Sequence, residues 1–64
     1  MYVLHVFYSK SGSPNHIEHV ANAADALARI AALLQEHAGC ERIVVMHGVT
    51  RLFAVDCKGN TLPG

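Results

Sequence analysis

Residues 13–25, Ser-Pro-Asn-His-Ile-Glu-His-Val-Ala-Asn-Ala-Ala-Asp, constrain the fold of this chain more than any other stretch. They either open a helix of about 25 residues, which would be long for so small a chain, or complete a strand before a shorter helix. Asn22 is a favourable N-cap residue, and Asp25 stands three positions later, where a carboxylate suits the positive end of the helix dipole. We therefore predict a helix over residues 23–38 and favour a strand over residues 16–21, with the long helix as the alternative.

The predicted helix carries apolar residues at helical spacing. The expected buried stripe, with Leu33 beside it, consists of Ala23, Leu27, Ile30, Ala31, Leu34 and Ala38. Polar residues lie opposite, and Asp25 with Arg29 would make a favourable pair one turn apart. His37 falls in the last turn, and Gly39 takes the position in which glycine commonly follows a helix.

The other regular segments are predicted to be strands. Residues 2–9 are rich in β-branched and aromatic side chains, and residues 42–47 and 49–56 give the strongest strand pattern in the chain. Residues 10–15 and 58–60 contain the glycine, proline and asparagine that are typical of turns. The last residues, after Asn60, are predicted to be a tail.

These segments predict an α+β domain with the element order ββαββ. Its sheet has four strands, is mainly antiparallel, and carries one helix packed on one face. The element order resembles that of β-grasp domains, and it leaves two arrangements open. Either the outer strands pair in the centre of the sheet, or the sheet is a plain meander.

The last hairpin is expected to turn at His47–Gly48, where glycine supplies a positive φ. The cross-strand neighbours would then be Met46 with Val49, Val44 with Arg51, and Ile43 with Leu52.

Both faces of the predicted sheet are apolar, although one helix covers only one of them. In the first strand, Val3 and Phe7 point to one side while Leu4 and Val6 point to the other. A small domain rarely leaves such a patch exposed, so we expect a second copy to cover it, face to face or edge to edge, in a twofold dimer. The candidate interface residues are Tyr2, Phe7, Tyr8, Met46 and Phe53.

Composition and charge weigh against a nucleic-acid binder. The chain has 64 residues, 52% of them apolar, and its five basic and five acidic residues cancel. Nucleic-acid binders usually concentrate positive charge, because phosphate contacts dominate affinity. A nucleic-acid-binding regulatory protein is therefore the alternative function, and its contacts would be Lys10, Arg42, Arg51 and Lys58.

Histidines are frequent in the chain, with five among 64 residues. On a strand, His16 and His19 point to opposite faces, which separates the most attractive pair of metal ligands. The order His-Ile-Glu-His also differs from the HExxH zinc motif. No metal site is predicted. The weak candidates, which would make a histidine-based metal-binding protein the less favoured alternative, are His5, His16 and His19.

The expected function is that of a small non-catalytic interaction or regulatory module, a homodimer that binds another protein. No enzymatic activity and no cofactor are predicted, because so small a chain has little room for a ligand pocket of about 300–1,000 Å³. A signal-peptide pattern and a run of about 20 apolar residues are both lacking, so we expect a cytoplasmic protein without membrane contact. Cys40 and Cys57 are expected to be free thiols, with a disulfide between them as the alternative.

Overall fold

One helix packs against one antiparallel sheet. The computed structural model describes residues 1–9 and 12–62. The elements are β1 (Tyr2–Phe7), β2 (His16–Val20), α1 (Ala23–Glu36), β3 (Arg42–His47), β4 (Thr50–Asp56) and β5 (Thr61–Leu62). The strands form a single sheet in the order β2-β1-β3-β4-β5, and every neighbouring pair is antiparallel. The predicted α+β class with its ββαββ order is confirmed.

The position of β1 differs from both arrangements that the sequence left open. β1 pairs with β2 on one side and with β3 on the other, so the outer strands do not pair and the sheet is not a plain meander. β2 and β3 are both antiparallel to β1 and hence parallel to each other. Parallel strands need a crossover, and the 14 residues of α1 supply it. β3 takes the centre because three successive side chains, Ile43, Val44 and Val45, are buried.

The predicted start of α1 is confirmed. Asn22 has an extended backbone, with φ −147°, and its side-chain oxygen accepts a hydrogen bond of 2.8 Å from the Asp25 N–H. Because His16–Val20 is a strand, the long-helix alternative is wrong. The helix ends at Glu36, two residues before the predicted end, and Gly39 follows with φ +92°.

The buried stripe of α1 was predicted wrongly. The buried residues are Ala26, Ile30 and Leu33, whereas Leu27 is 62% exposed. Alanine and leucine occur almost all round this helix, so several stripes satisfy the helical period. Ala26, Ile30 and Leu33 face the sheet, and Arg29 reaches Glu18 on β2 rather than pairing with Asp25.

The register of the last hairpin also differs from the prediction. The turn residues are Gly48 and Val49, and His47 pairs with Thr50. An irregularity between Val45 and Met46 adds a further offset. The observed neighbours are Met46 with Arg51, Val44 with Ala54, and Ile43 with Val55. An odd shift exchanges the two faces of a strand, so Phe53 and Val55 lie on the helix side and Ala54 on the other.

The residues of β5 were predicted to be part of a tail. The sequence predicted the turn at residues 58–60, but the two residues that form β5 are too few to give a strand pattern. The Asp56 carboxylate accepts hydrogen bonds of 2.9 Å from the N–H groups of both Lys58 and Asn60. Gly59 has φ +88°, a conformation that glycine adopts without strain. This turn folds Thr61–Leu62 back onto β4. Residues 63 and 64 lie outside the described part.

The core lies between α1 and the helix side of the sheet. Its largest fully buried side chains are Leu4, Val6, Leu33, Ile43 and Val45. Among the described residues, no helix is long and apolar enough to cross a membrane.

Candidate functional site

The sheet face opposite α1, here called the open face, is not covered by any helix or strand of the described residues. Strand alternation and register bring together its apolar members, which are Val3, Phe7, Ile17, Val44, Met46 and Leu62. Ile17 is 49% exposed, whereas neighbouring side chains leave only 7% of Val44 exposed. Ala54 adds a small apolar residue from β4, and two histidines, His5 and His19, lie among these side chains on the same face.

Charged groups border the open face at one end of the strands. The Arg42 guanidinium stacks over the Phe7 ring at 4.1 Å from its centroid, and it also pairs with Glu41. Arg42 stands opposite Asp56 in the ladder. The pKa of Asp56 is lowered, chiefly because the backbone N–H of Asn60 donates to its carboxylate.

The five predicted interface residues divide between the two sides of the sheet. Phe7 and Met46 lie on the open face. Tyr2, Tyr8 and Phe53 pack against the core on the helix side.

The basic residues considered for nucleic acid do not form one patch. Arg42 and Arg51 lie near opposite ends of the β3–β4 ladder, about 13 Å apart at the usual rise per residue. Lys58 lies in the turn after β4, and Lys10 lies outside the described residues. This spread gives the nucleic-acid alternative no support.

A second candidate site lies on the helix side, where His16 meets His37. Their ring centroids are 4.9 Å apart. The other weak metal candidates, His5 and His19, belong to the open face, so the separation of His16 from His19 by strand alternation is confirmed. The partner that sequence reasoning missed is His37. The sequence predicted His37 in the last turn of the helix, and the structure has it at the C-cap. The packing angle of the helix, which brings His37 to β2, could not be predicted from the sequence.

Polar contacts hold both histidines in place. The Tyr8 hydroxyl lies 2.9 Å from His37 Nδ1, and His16 Nε2 lies 3.2 Å from a Glu18 carboxylate oxygen. Arg29 donates two hydrogen bonds to the same carboxylate, from Nε at 2.8 Å and from a terminal nitrogen at 2.7 Å. These bonds from Arg29, together with the bond to His16, lower the pKa of Glu18 to about 2.

An apolar cleft lies between the first half of α1 and strands β3 and β4. Its volume is about 220 Å³, below the usual range for sites that bind small molecules. Its lining consists of Tyr2, Ala23, Ala26, Leu27, Val45, Leu52 and Phe53. The cleft brings no acid, base or nucleophile together with a polar partner, so it offers no catalytic arrangement.

The two cysteines are free thiols in different surroundings. Cys40 is buried and Cys57 is exposed. Burial raises the pKa of Cys40, and the proximity of Cys57 raises it further. We expect iodoacetamide to alkylate Cys57 in the folded protein at least about tenfold faster than Cys40, because the thiolate is the reactive form. Peptide mass spectrometry over a time course measures both rates, and equal rates would contradict the expectation.

Comparisons with known protein families, with curated proteins and with solved structures gave no match for this chain. The two candidate sites on which a function can be argued are therefore the open face and the His16–His37 pair.

Proposed function

We propose that this protein is a small non-catalytic interaction module that acts as a homodimer, with the open faces of two copies packed against each other. The observation that carries the proposal is the group of apolar side chains around His5 on the open face, which lies opposite the only helix of the described chain. Packing two sheet faces at about 10 Å is a common way to bury such surfaces.

The charge of the chain favours a second copy as the occupant. Its formal net charge is zero, so two copies meet without long-range repulsion. A copy also matches the chemistry of the face, because the apolar side chains of each sheet meet those of the other. At one end of the strands, Arg42 and Asp56 stand side by side in the ladder and offer both signs of charge to the partner.

The area of the open face supports a dimer of modest affinity. The five strands together have 26 residues, which at a rise of about 3.3 Å and a strand spacing of about 4.8 Å give a footprint of roughly 400 Å². Two such footprints total roughly 800 Å², which is smaller than a standard specific interface and typical of a weak complex. We therefore expect a dissociation constant in the micromolar range.

Packing through the face is favoured over pairing through a strand edge. β5 has two residues, too few to extend a sheet strongly, although the five residues of β2 present a longer edge. Edge pairing through β2 would leave Val3, Phe7 and Met46 in water. Face-to-face packing buries all three.

A Met46→Lys substitution tests this proposal, since Met46 lies beside Val3 on the open face. At about 100 µM, light scattering during size-exclusion chromatography should give the wild type about twice the 6.9 kDa chain mass and the variant the chain mass. The affinity should fall at least tenfold, because a lysine ammonium would be buried without a partner.

The matched control is Leu27→Lys, on the helix side and 62% exposed, which should remain a dimer. If the circular dichroism signal shows that Met46→Lys does not fold, Val3→Thr replaces it as a milder change on the same face. A monomeric wild type would contradict the homodimer and leave the open face to a different protein. A Met46→Lys variant that stays folded and dimeric would contradict face packing and point to the β2 edge.

We further propose a cytoplasmic location. Cys40 and Cys57 are unpaired, as expected in a reducing compartment. Localisation of a tagged chain by cell fractionation tests this, and recovery with secreted proteins would contradict it.

A further inference from the structure

We propose that His16 and His37 together bind a divalent transition-metal ion such as Zn²⁺, at a site on the helix side that is separate from the open face. One ligand comes from the first residue of β2 and the other from the C-cap of α1. Among the described residues, no group of three or more histidine, cysteine, aspartate or glutamate side chains is arranged to hold a metal. The site therefore has two protein ligands, and water fills the remaining positions.

The distance between the rings fits joint coordination. Zinc–nitrogen bonds of about 2.0–2.1 Å at a tetrahedral angle place the centroids of two imidazole ligands about 5 Å apart. The His16 and His37 centroids are 4.9 Å apart. The separation of the two rings therefore matches that of two imidazoles on one ion.

Hydrogen bonding leaves one ring nitrogen available on each histidine. The Glu18 carboxylate already accepts two hydrogen bonds from Arg29 and can only accept, so the His16 Nε2 beside it donates and Nδ1 keeps its lone pair. On His37, the Tyr8 hydroxyl occupies Nδ1 and can accept its proton, which leaves Nε2 as the ligand. A carboxylate or other oxygen behind each ligating imidazole is the usual arrangement at metal sites.

Local charge and access also favour a cation. Two carboxylates, Glu18 and Glu36, surround the single guanidinium of Arg29, so the network carries one net negative charge. His37 stands at the C-terminal end of α1, where the helix dipole is negative. Both histidines are partly exposed, so an ion can reach them from solvent.

Isothermal titration of the full chain with ZnCl₂ tests the proposal, in a Cys57→Ser background that removes the exposed thiol as a competing ligand. We expect one ion per chain. His16→Ala and His37→Ala should each weaken binding at least about tenfold. Tyr8→Phe keeps both ligands but loses the hydrogen bond behind His37, and should weaken binding about tenfold, as outer partners of metal ligands do.

The matched controls are His5→Ala and His19→Ala, which remove histidines from the open face and should leave zinc affinity unchanged. Histidine side-chain NMR signals provide a second readout, and those of His16 and His37 should shift first. Absence of saturable binding would overturn the proposal. So would binding that survives both His16→Ala and His37→Ala in variants that remain folded. Because the dimer test uses Met46 and no metal, the two proposals can fail independently.

Discussion

Leu33→Ala should lower the free energy of unfolding by about 3 kcal/mol, within the range of leucine-to-alanine changes at fully buried sites. Leu33 has no exposed surface and belongs to the core between α1 and the sheet. A chain of 64 residues has a total stability of roughly 3–10 kcal/mol. The loss is therefore at least about a third of the total stability.

Urea denaturation followed by circular dichroism, at one fixed protein concentration, measures this change. Leu27→Ala is the matched control, because it makes the same substitution in the same helix at a side chain that is 62% exposed. Its effect should stay within about 0.5 kcal/mol. Equal losses in the two variants would mean that the helix packs through the stripe first predicted from the sequence.

Acidification should weaken the protein between about pH 5 and pH 2 through Glu18. The folded pKa of Glu18 is about 2, below the ordinary 4.5, because Arg29 donates hydrogen bonds to its carboxylate. A depressed pKa contributes stability that is fully present above the unfolded value and is lost as the pH falls towards the folded one. We expect a contribution of about 1 kcal/mol, since the Arg29 side chain is partly exposed and solvent screens the pair.

Unfolding free energies at pH 7 and pH 3 for the wild type and Glu18→Gln measure this contribution. The variant should be less stable at pH 7 and should lose less stability on acidification. Glu36→Gln is the matched control, because Glu36 contacts the same Arg29 at 3.4 Å but is more exposed than Glu18. If Glu18→Gln keeps the full pH dependence of the wild type, another carboxylate is responsible.

Local signals in the sequence predicted the helix and four of the strands. Asn22 caps the first residue of α1. Each of the glycines with positive φ lies within three residues of the end of a helix or strand, at positions 39, 48 and 59. β5 was not predicted because its two residues are held in place by the turn at Asp56 rather than by their own strand propensity.

Long-range features could not be predicted in the same way. The helix stripe was ambiguous because alanine and leucine surround α1, and the β4 register depended on an irregularity beside Met46 that leaves no composition signal. The His16–His37 pair depends on how α1 crosses the sheet. Alternation within a strand was sufficient to group Val3 with Phe7 on one face and to separate His16 from His19, but not to say which face the helix covers.

The central place of β1 has a consequence for folding during synthesis. β1 leaves the ribosome first, yet Tyr2 pairs with His47, which is made 45 residues later. Until then β1 can pair only with β2, and a lone two-stranded hairpin is at best marginally stable in water. The nascent chain therefore gains little from its early strands. It should fold in one late step, when the emergence of β3 closes the sheet over its helix.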